Sequence, residues 1–350
     1  VRRGWNNKNA RPAGATGLAG ALAPAVTKGA EMVFVYAALG LVILLLAGDA
    51  LVKGAVNLSL RVGIPALIVS LTVVAFGTSA PELLISVQAA MNGVPGIAMG
   101  NVVGSNTANV LLVLGIPALI TVMHTSGHDT RKSYVIMLGA TGLFIALAFR
   151  GVFDWIAGAV MLAVLAVILL DSVRDALCHR RDGKARAAAE PEIEEPEGAD
   201  PDMPGWKIAL FLILGLVGLP LGADLLVDSA IEIAAMFGVP DAVIGLTLVA
   251  IGTSLPELAT TVMAAIRRQA DVALGNVIGS NLFNLLAIIG IAGLIKPIPV
   301  APEFLNFDLW VMLASSLLLI PFVFWGRDLG RIWGAILCAL YVSYIAVVLS

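Results

Sequence analysis

Apolar positions in this chain run on in long blocks instead of recurring at the three-to-four-residue spacing of a helix that buries one face. Ten blocks, roughly 33–55, 65–90, 96–120, 133–149, 152–174, 206–230, 240–266, 271–295, 305–325 and 331–349, come near the ~20 apolar residues that carry a helix across hydrocarbon. Polar residues gather between the blocks, and a few sit isolated within them. The pattern predicts an all-α polytopic membrane protein with ten transmembrane helices.

The isolated polar residues are not scattered. Gly77-Thr78-Ser79-Ala80-Pro81-Glu82 recurs 175 positions later as Gly252-Thr253-Ser254-Leu255-Pro256-Glu257, and Gly100-Asn101-Val102-Val103-Gly104-Ser105-Asn106 recurs as Gly275-Asn276-Val277-Ile278-Gly279-Ser280-Asn281. Asp49 and Asp224, Pro65 and Pro240, Leu71-Thr72 and Leu246-Thr247, and Asn109 and Asn284 keep that register. Roughly a whole half-chain is duplicated, and a repeat on that scale governs architecture. Five helices per copy is an odd number, so the second copy enters the membrane from the opposite side. Two inverted five-helix repeats result, over 32–176 and 206–350, joined by a linker at 177–205 and preceded by residues 1–31.

Composition changes the picture only by excluding alternatives. At 59% hydrophobic and 13% charged residues, with mean hydropathy +0.97, the chain lies outside the soluble globular range. The charges orient it: fourteen Lys and Arg, from Lys53 and Arg61 to Arg327 and Arg331, fall in loops on one side, against Arg150 and Lys296 on the other. The positive-inside bias assigns the fourteen, and the 177–205 linker, to the cytoplasm. Both termini then lie outside a cell (inner) membrane. Arg2, Arg3, Lys8, Arg11 and Lys28 stand apart from the bias. Residues 1–31 read as an upstream extension or a disordered leader without a secretory apolar core.

The linker carries Glu190-Pro191-Glu192-Ile193-Glu194-Glu195-Pro196-Glu197, an acidic run expected to be a solvated tether. Cys178 and Cys338 are not placed to pair. His124, His128 and Asp129 gather in one loop, but nothing completes a metal-ligand set around them. No nucleic-acid partner and no obligatory protein partner is indicated.

Chemistry concentrates where the second and third helices of each half contain helix breakers. Pro81 and Pro256 each remove a backbone donor, and Gly77 and Gly252 loosen the same point, so carbonyls near Ala75–Thr78 and Ala250–Thr253 are expected to be released. Irregular backbone at membrane depth is tolerated only against protein or a water-filled cavity. Asn101, Ser105 and Asn109 share one helix face, as do Asn276, Ser280 and Asn284. Gly100 and Gly104, and Gly275 and Gly279, permit close helix approach. A carboxylate in hydrocarbon needs a partner or a cation, which makes Glu82 and Glu257 candidate ligands. The donors are all oxygen, and Ca2+ suits such a set better than Mg2+ or Zn2+.

Both repeats resemble the α-repeats of the cation/Ca2+ exchanger superfamily, on its sodium/calcium exchanger branch, and the resemblance spans about 32–350. It implies a secondary active antiporter that exchanges Ca2+ for Na+ by alternating access, without cofactor. It also implies Ca2+ ligation by Glu82, Glu257 and main-chain oxygens of Thr78 and Thr253. The implied Na+ ligands are the same two Glu with Ser79, Ser254, Ser105, Ser280, the carbonyls of Ala75 and Ala250, and Asn109 and Asn284. Several relatives carry Asp at the position of Asn284, so this chain has one carboxylate fewer there.

A H+/Ca2+ antiporter using the same site is the alternative, and a passive cation channel a further one. The branch coupled to protons has Gly-Asn-x-x-Glu where this chain has Gly-Thr-Ser-x-Pro-Glu. An enzyme is not indicated. No Tyr-Asp pair accompanies Gly48-Asp49 to make an intramembrane protease, and His-Glu-x-x-His and phosphate-loop patterns are missing. Asp49 and Asp224 read as structural, bonding freed backbone. Ser86, Thr260 and Thr261 are expected to bond within their own helices.

Overall fold

The structure is a computed structural model that describes residues 15–123, 128–186, 200, 202–237 and 250–348. Nearly all of them are helical. The first half comprises α1 (Ala15–Val62), α2 (Ala66–Thr78), α3 (Ala80–Met91), α4 (Pro95–Ile120), α5 (His128–Ala148) and α6 (Trp155–Arg186). The second comprises α7 (Gly205–Met236), α8 (Ala250–Thr253), α9 (Leu255–Ile266), α10 (Ala270–Ile295), α11 (Phe304–Trp325) and α12 (Arg331–Val348). Among the described residues, eight helices are long and apolar enough to span a membrane, and α2 with α3 forms a ninth span bent by 46°. The expected span at 240–266 enters only through α8 and α9. Pro240, Leu246, Thr247, His124 and the acidic run 190–197 lie outside the described residues.

Two boundaries differ from the hydropathy pattern. The first helix begins at Ala15, well ahead of the apolar block that opens at Met32. The span expected from residue 152 starts instead at Trp155, because Val152–Phe153 (β1) pairs antiparallel with Ile298–Pro299 (β2). Asp154 closes that strand and caps α6, its Oδ1 accepting the Ala157 N–H at 3.0 Å. That bond, with Arg150 beside it, holds the Asp154 carboxyl below the usual carboxylate range.

The duplication is visible in backbone detail. Ser79 (φ −87°, ψ 8°) and Ser254 (φ −88°, ψ 4°) break their helices alike. Left-handed backbone occurs at Gly93 (φ 77°) and at its repeat mate Arg268 (φ 55°), and again at Gly151 (φ 80°) and Gly326 (φ 61°). Contacts between the halves are reciprocal. A Cβ on Gly158 of α6 would lie 2.6 Å from the Gly290 carbonyl of α10, and one on Gly334 of α12 would lie 2.7 Å from the Gly115 carbonyl of α4. Each half thus packs its last span on the other half's third span. Phe153 pairs with Ile298, and Leu329 with Met123, in the same crossed sense. Such reciprocity is what a two-fold relation between repeats produces.

Burial divides the bundle into two parts. A large core joins α4, α5, α6, α10, α11 and α12. A smaller seam is built from Leu44, Ala47 and Leu51 of α1 with Leu219 and Ala223 of α7, facing Val69 and Val74 of α2 and Ala259 of α9. Glycines set its closeness: a Cβ on Gly215 would stand 2.5 Å from Leu51 Cβ, and one on Gly40 would stand 2.7 Å from the Leu226 nitrogen. Large apolar side chains on the outer flanks, such as Leu46, Leu84 and Val167, are exposed, as suits a surface solvated by lipid tails.

Candidate ion-binding site

The site forms because both breaks fall one turn before a glutamate. Pro81 and Pro256 stand in the first turns of α3 and α9, where a missing N–H costs no helical bond. Glu82 and Glu257 follow in those same turns, near the positive ends of their helices. Both side chains are fully buried.

The two carboxylates are treated differently. Glu257 Oε1 accepts from Ser79 Oγ at 2.9 Å, across the halves, and from Ser280 Oγ at 3.4 Å. Neither oxygen of Glu82 has a hydrogen-bond partner. Glu257 Oε2, Ser254 Oγ, Asn109 Oδ1, Asn106 Oδ1 and both amide atoms of Asn284 are likewise buried without a partner. Buried polar atoms are nearly always satisfied, since leaving one bare costs about 1–3 kcal/mol and a charge costs more. Bare atoms concentrated on the duplicated motifs, all but one of them oxygen, match what a hard, dehydrated cation requires.

Other motif residues hold this arrangement together. Thr78 Oγ1 reaches Asn276 Oδ1 at 3.3 Å and Ser280 Oγ at 3.5 Å, and Asn109 Nδ2 donates to Asn281 Oδ1 at 3.0 Å. Each of these pairs joins one half to the other. Ser70 Oγ donates to the Val272 carbonyl at 2.6 Å. Glycine permits that approach of α2 to α10: a Cβ on Gly279 would meet Ala75 Cβ and the Leu71 carbonyl at 2.5 Å.

Asn101 and Asn276 serve as clamps. Asn101 Nδ2 donates to the Glu82 carbonyl at 3.1 Å and to Ser86 Oγ at 2.9 Å. Asn276 Nδ2 repeats this with the Glu257 carbonyl at 3.3 Å and Thr261 Oγ1 at 3.1 Å. Each amide fixes the turn that carries its glutamate. Thr260 and Thr261 also bond back to Pro256 and Glu257 as expected, at 2.8 and 2.7 Å.

The polar stripes therefore divide their labour. Asn101 and Asn276 turn toward their own glutamate helices. Asn109 and Asn284 fall in π-helical turns, Asn109–Val113 and Phe283–Ile288. Both asparagines stand at the start of these turns, so the α-helical register with Asn101 and Ser105, and with Asn276 and Ser280, runs up to them. No local sequence signal marks these turns, apart from their recurrence in both repeats.

Of the remaining residues that the resemblance singles out, Thr78, Ser79, Ser105, Thr253, Ser254 and Ser280 are all buried. Ala250 opens α8. The Ala75 carbonyl accepts the Ser79 N–H at 3.1 Å and the Thr78 hydroxyl at 3.3 Å. The turn thus stays helical through Thr78 and keeps that carbonyl engaged. Asp49 bonds no freed backbone; it pairs with Arg267 and Lys53. Asp224 is exposed.

Comparison with known proteins identifies the family of the chain. The sodium/calcium exchanger protein family matches residues 32–173 and 207–350. The chain is 34% identical to the sodium/calcium exchanger MaX1 of Methanosarcina acetivorans, covering 90% of this chain and 97% of that protein. It is 32% identical to the inner membrane protein YrbG of Escherichia coli, covering 88% and 94%. Among solved structures, the sodium-calcium exchanger NCX_Mj soaked with 10 mM Na+ and zero Ca2+ superimposes with a TM-score of 0.76 at 33% identity, over 91% of this chain and 99% of that one. The same exchanger soaked with 2.5 mM Na+ and 1 mM Sr2+ gives 0.75 at 33% identity, over 90% and 97%. With its duplicated Gly-Thr-Ser-x-Pro-Glu and Gly-Asn-x-x-Gly-Ser-Asn motifs on facing helices, this membrane protein belongs to the sodium/calcium exchanger family.

Proposed function

We propose that the protein exchanges Ca2+ for Na+ as a secondary antiporter, with Glu82 and Glu257 as ligands that both ions need in turn. The observation that carries this reading is the burial of two carboxylates, one from each repeat, with three of their four oxygens lacking a partner. Two negative charges neutralise one Ca2+, and neither ion is stable at that depth without them. Thr78 and Thr253 add main-chain oxygens to the Ca2+ set. Ser79, Ser254, Ser105, Ser280, Asn109, Asn284 and the Ala250 carbonyl add the ligands of smaller charge that Na+ requires, and the Ala75 carbonyl joins them only by giving up the Ser79 N–H and Thr78 hydroxyl that it now accepts.

Shared ligands make the exchange obligatory, because Na+ and Ca2+ cannot occupy the glutamates together at full coordination. Crossed contacts between the repeats favour alternating access over a continuous pore. With Asn at both 109 and 284, Ca2+ leaves the site neutral and three Na+ would leave it one charge positive. The loop charges support outward termini and a cytoplasmic linker.

Equilibrium Ca2+ titration of the purified protein tests the shared site. Na+ replacing choline at constant ionic strength should weaken the apparent Ca2+ affinity, and Glu82→Gln should abolish Ca2+ binding. Unchanged Ca2+ affinity in Na+ would refute shared ligation.

A further inference from the structure

Asp49 has a use that the ion site does not absorb. It lies on α1, and its Oδ1 accepts Arg267 Nε at 2.5 Å, while Lys53 Nζ stands 2.9 Å from its Oδ2. Arg267 caps the C-terminus of α9, the helix whose first turn carries Glu257. The Asp49 and Arg267 side chains are each only 19% exposed, so this pair is far less screened than an ordinary surface ion pair. Beside it, a Cβ on Gly48 would lie 3.0 Å from the Ala259 carbonyl, so α1 and α9 meet at backbone distance.

The second repeat has the aspartate without the partners. Asp224 matches Asp49, but Asn92 stands where Arg267 would be and Asp228 where Lys53 would be. Asp224 is exposed. Two related repeats that exchange roles give two conformers of similar energy, so an ion pair built into one repeat only weights one conformer over the other.

Resting on the exchange reading above, we infer that Asp49 and Arg267 form a latch between α1 and the Glu257 helix that holds the transporter in one of its two access states. The latch closes in the conformer described here and must part if α1 moves against α9. Lys53 holds the second carboxylate oxygen and keeps Asp49 turned toward Arg267. Asp49 and Arg267 are thus positioning residues that set which membrane face the site meets.

Two readouts test this. The first is the apparent Ca2+ affinity of Na+-driven flux, measured separately in right-side-out and everted vesicles. Asp49→Asn should shift it roughly tenfold in opposite directions on the two faces, since apparent affinity scales with the fraction of protein facing that side. Arg267→Gln should do the same, Asp49→Asn with Arg267→Gln should go no further than either alone, and Asp49→Glu and Asp224→Asn should leave both faces unchanged. The second readout places spin labels at Leu46 and Ile266, both exposed, and reads the α1–α9 distance whatever ion is moved. A second, longer distance population should appear in Asp49→Asn and Arg267→Gln. Affinity changes of one sign on both faces, or an unaltered distance distribution in both variants, would overturn the latch. A wild type without Na+-driven Ca2+ flux whose distances still respond to Asp49→Asn would overturn the exchange reading and leave the latch standing.

Discussion

Ser79 and Glu257, 178 positions apart in the chain, are joined by a hydrogen bond of 2.9 Å in the buried interior of the bundle. The corresponding pair, Ser254 and Glu82, is not bonded, and all three oxygens of its side chains are bare. One repeat thus holds its partner's carboxylate through a hydroxyl while the other leaves its partner's open. The site is built by symmetry and left unsymmetrical.

The carboxylates are the first target. Glu82→Gln and Glu257→Gln should each lower Ca2+ transport by at least about a hundredfold, since losing one charge of a buried, compensated set costs roughly 3–5 kcal/mol. Both proteins should remain folded. Ca2+ uptake alongside monodispersity and melting temperature checks this, and substantial exchange by the double variant would remove these residues from the site.

The asparagine clamps make a separable prediction. Asn276→Ala leaves the Thr261 hydroxyl and the Glu257 carbonyl without a donor that now reaches both, and should cost about 1–3 kcal/mol, seen as weaker Ca2+ binding. Because the amide and the Thr261 hydroxyl meet each other and share the Glu257 carbonyl, Thr261→Val should cost less in the Asn276→Ala background than in the wild type. A double-mutant cycle with fully additive effects would contradict the clamp.

How much of this was legible beforehand depended on what each feature rests on. The run of apolar spans and the position of both breaks follow from hydropathy and from Pro81 and Pro256, because bilayer thickness and a missing N–H act locally. The duplicated register likewise brought Thr78, Ser79 and Ser280 forward before their contacts with the other half were known. Side-chain division within the stripes was not legible. Whether Asn101 ligates an ion or clamps the Glu82 carbonyl depends on how α3 lies against α4, and whether Asn109 meets Asn281 depends on how α4 meets α10 across the halves. Asp49 looked structural for the wrong reason, since Arg267 lies more than 200 positions away and nothing local announces the pairing.

Glycine sets a steric prediction. Gly279→Ala would drive a Cβ to 2.5 Å from both Ala75 Cβ and the Leu71 carbonyl. The backbone of α2 must move, at a cost of about 1–3 kcal/mol. Thermal unfolding in detergent should show a lower midpoint, and Ca2+ affinity should fall as Thr78 withdraws from Asn276. Gly139→Ala, with open space around it, should change neither. Equal behaviour of the two variants would mean that the α2–α10 approach is looser than described.

Orientation is open to chemistry. With Cys178 and Cys338 replaced, Asp202→Cys should react with an impermeant thiol reagent from the cytoplasmic face only, and Arg150→Cys from the outer face only. Labelling of both from one face would overturn the inverted arrangement.

The most direct test of the central claim is Ca2+ flux into proteoliposomes under two gradients imposed in turn. An outward Na+ gradient at fixed pH should drive Ca2+ uptake, and Glu82→Gln with Glu257→Gln should abolish it. A pH gradient in Na+-free buffer should support little. Full-rate uptake driven by the proton gradient alone, with no effect of Na+, would contradict sodium coupling and assign the same site to a proton antiporter.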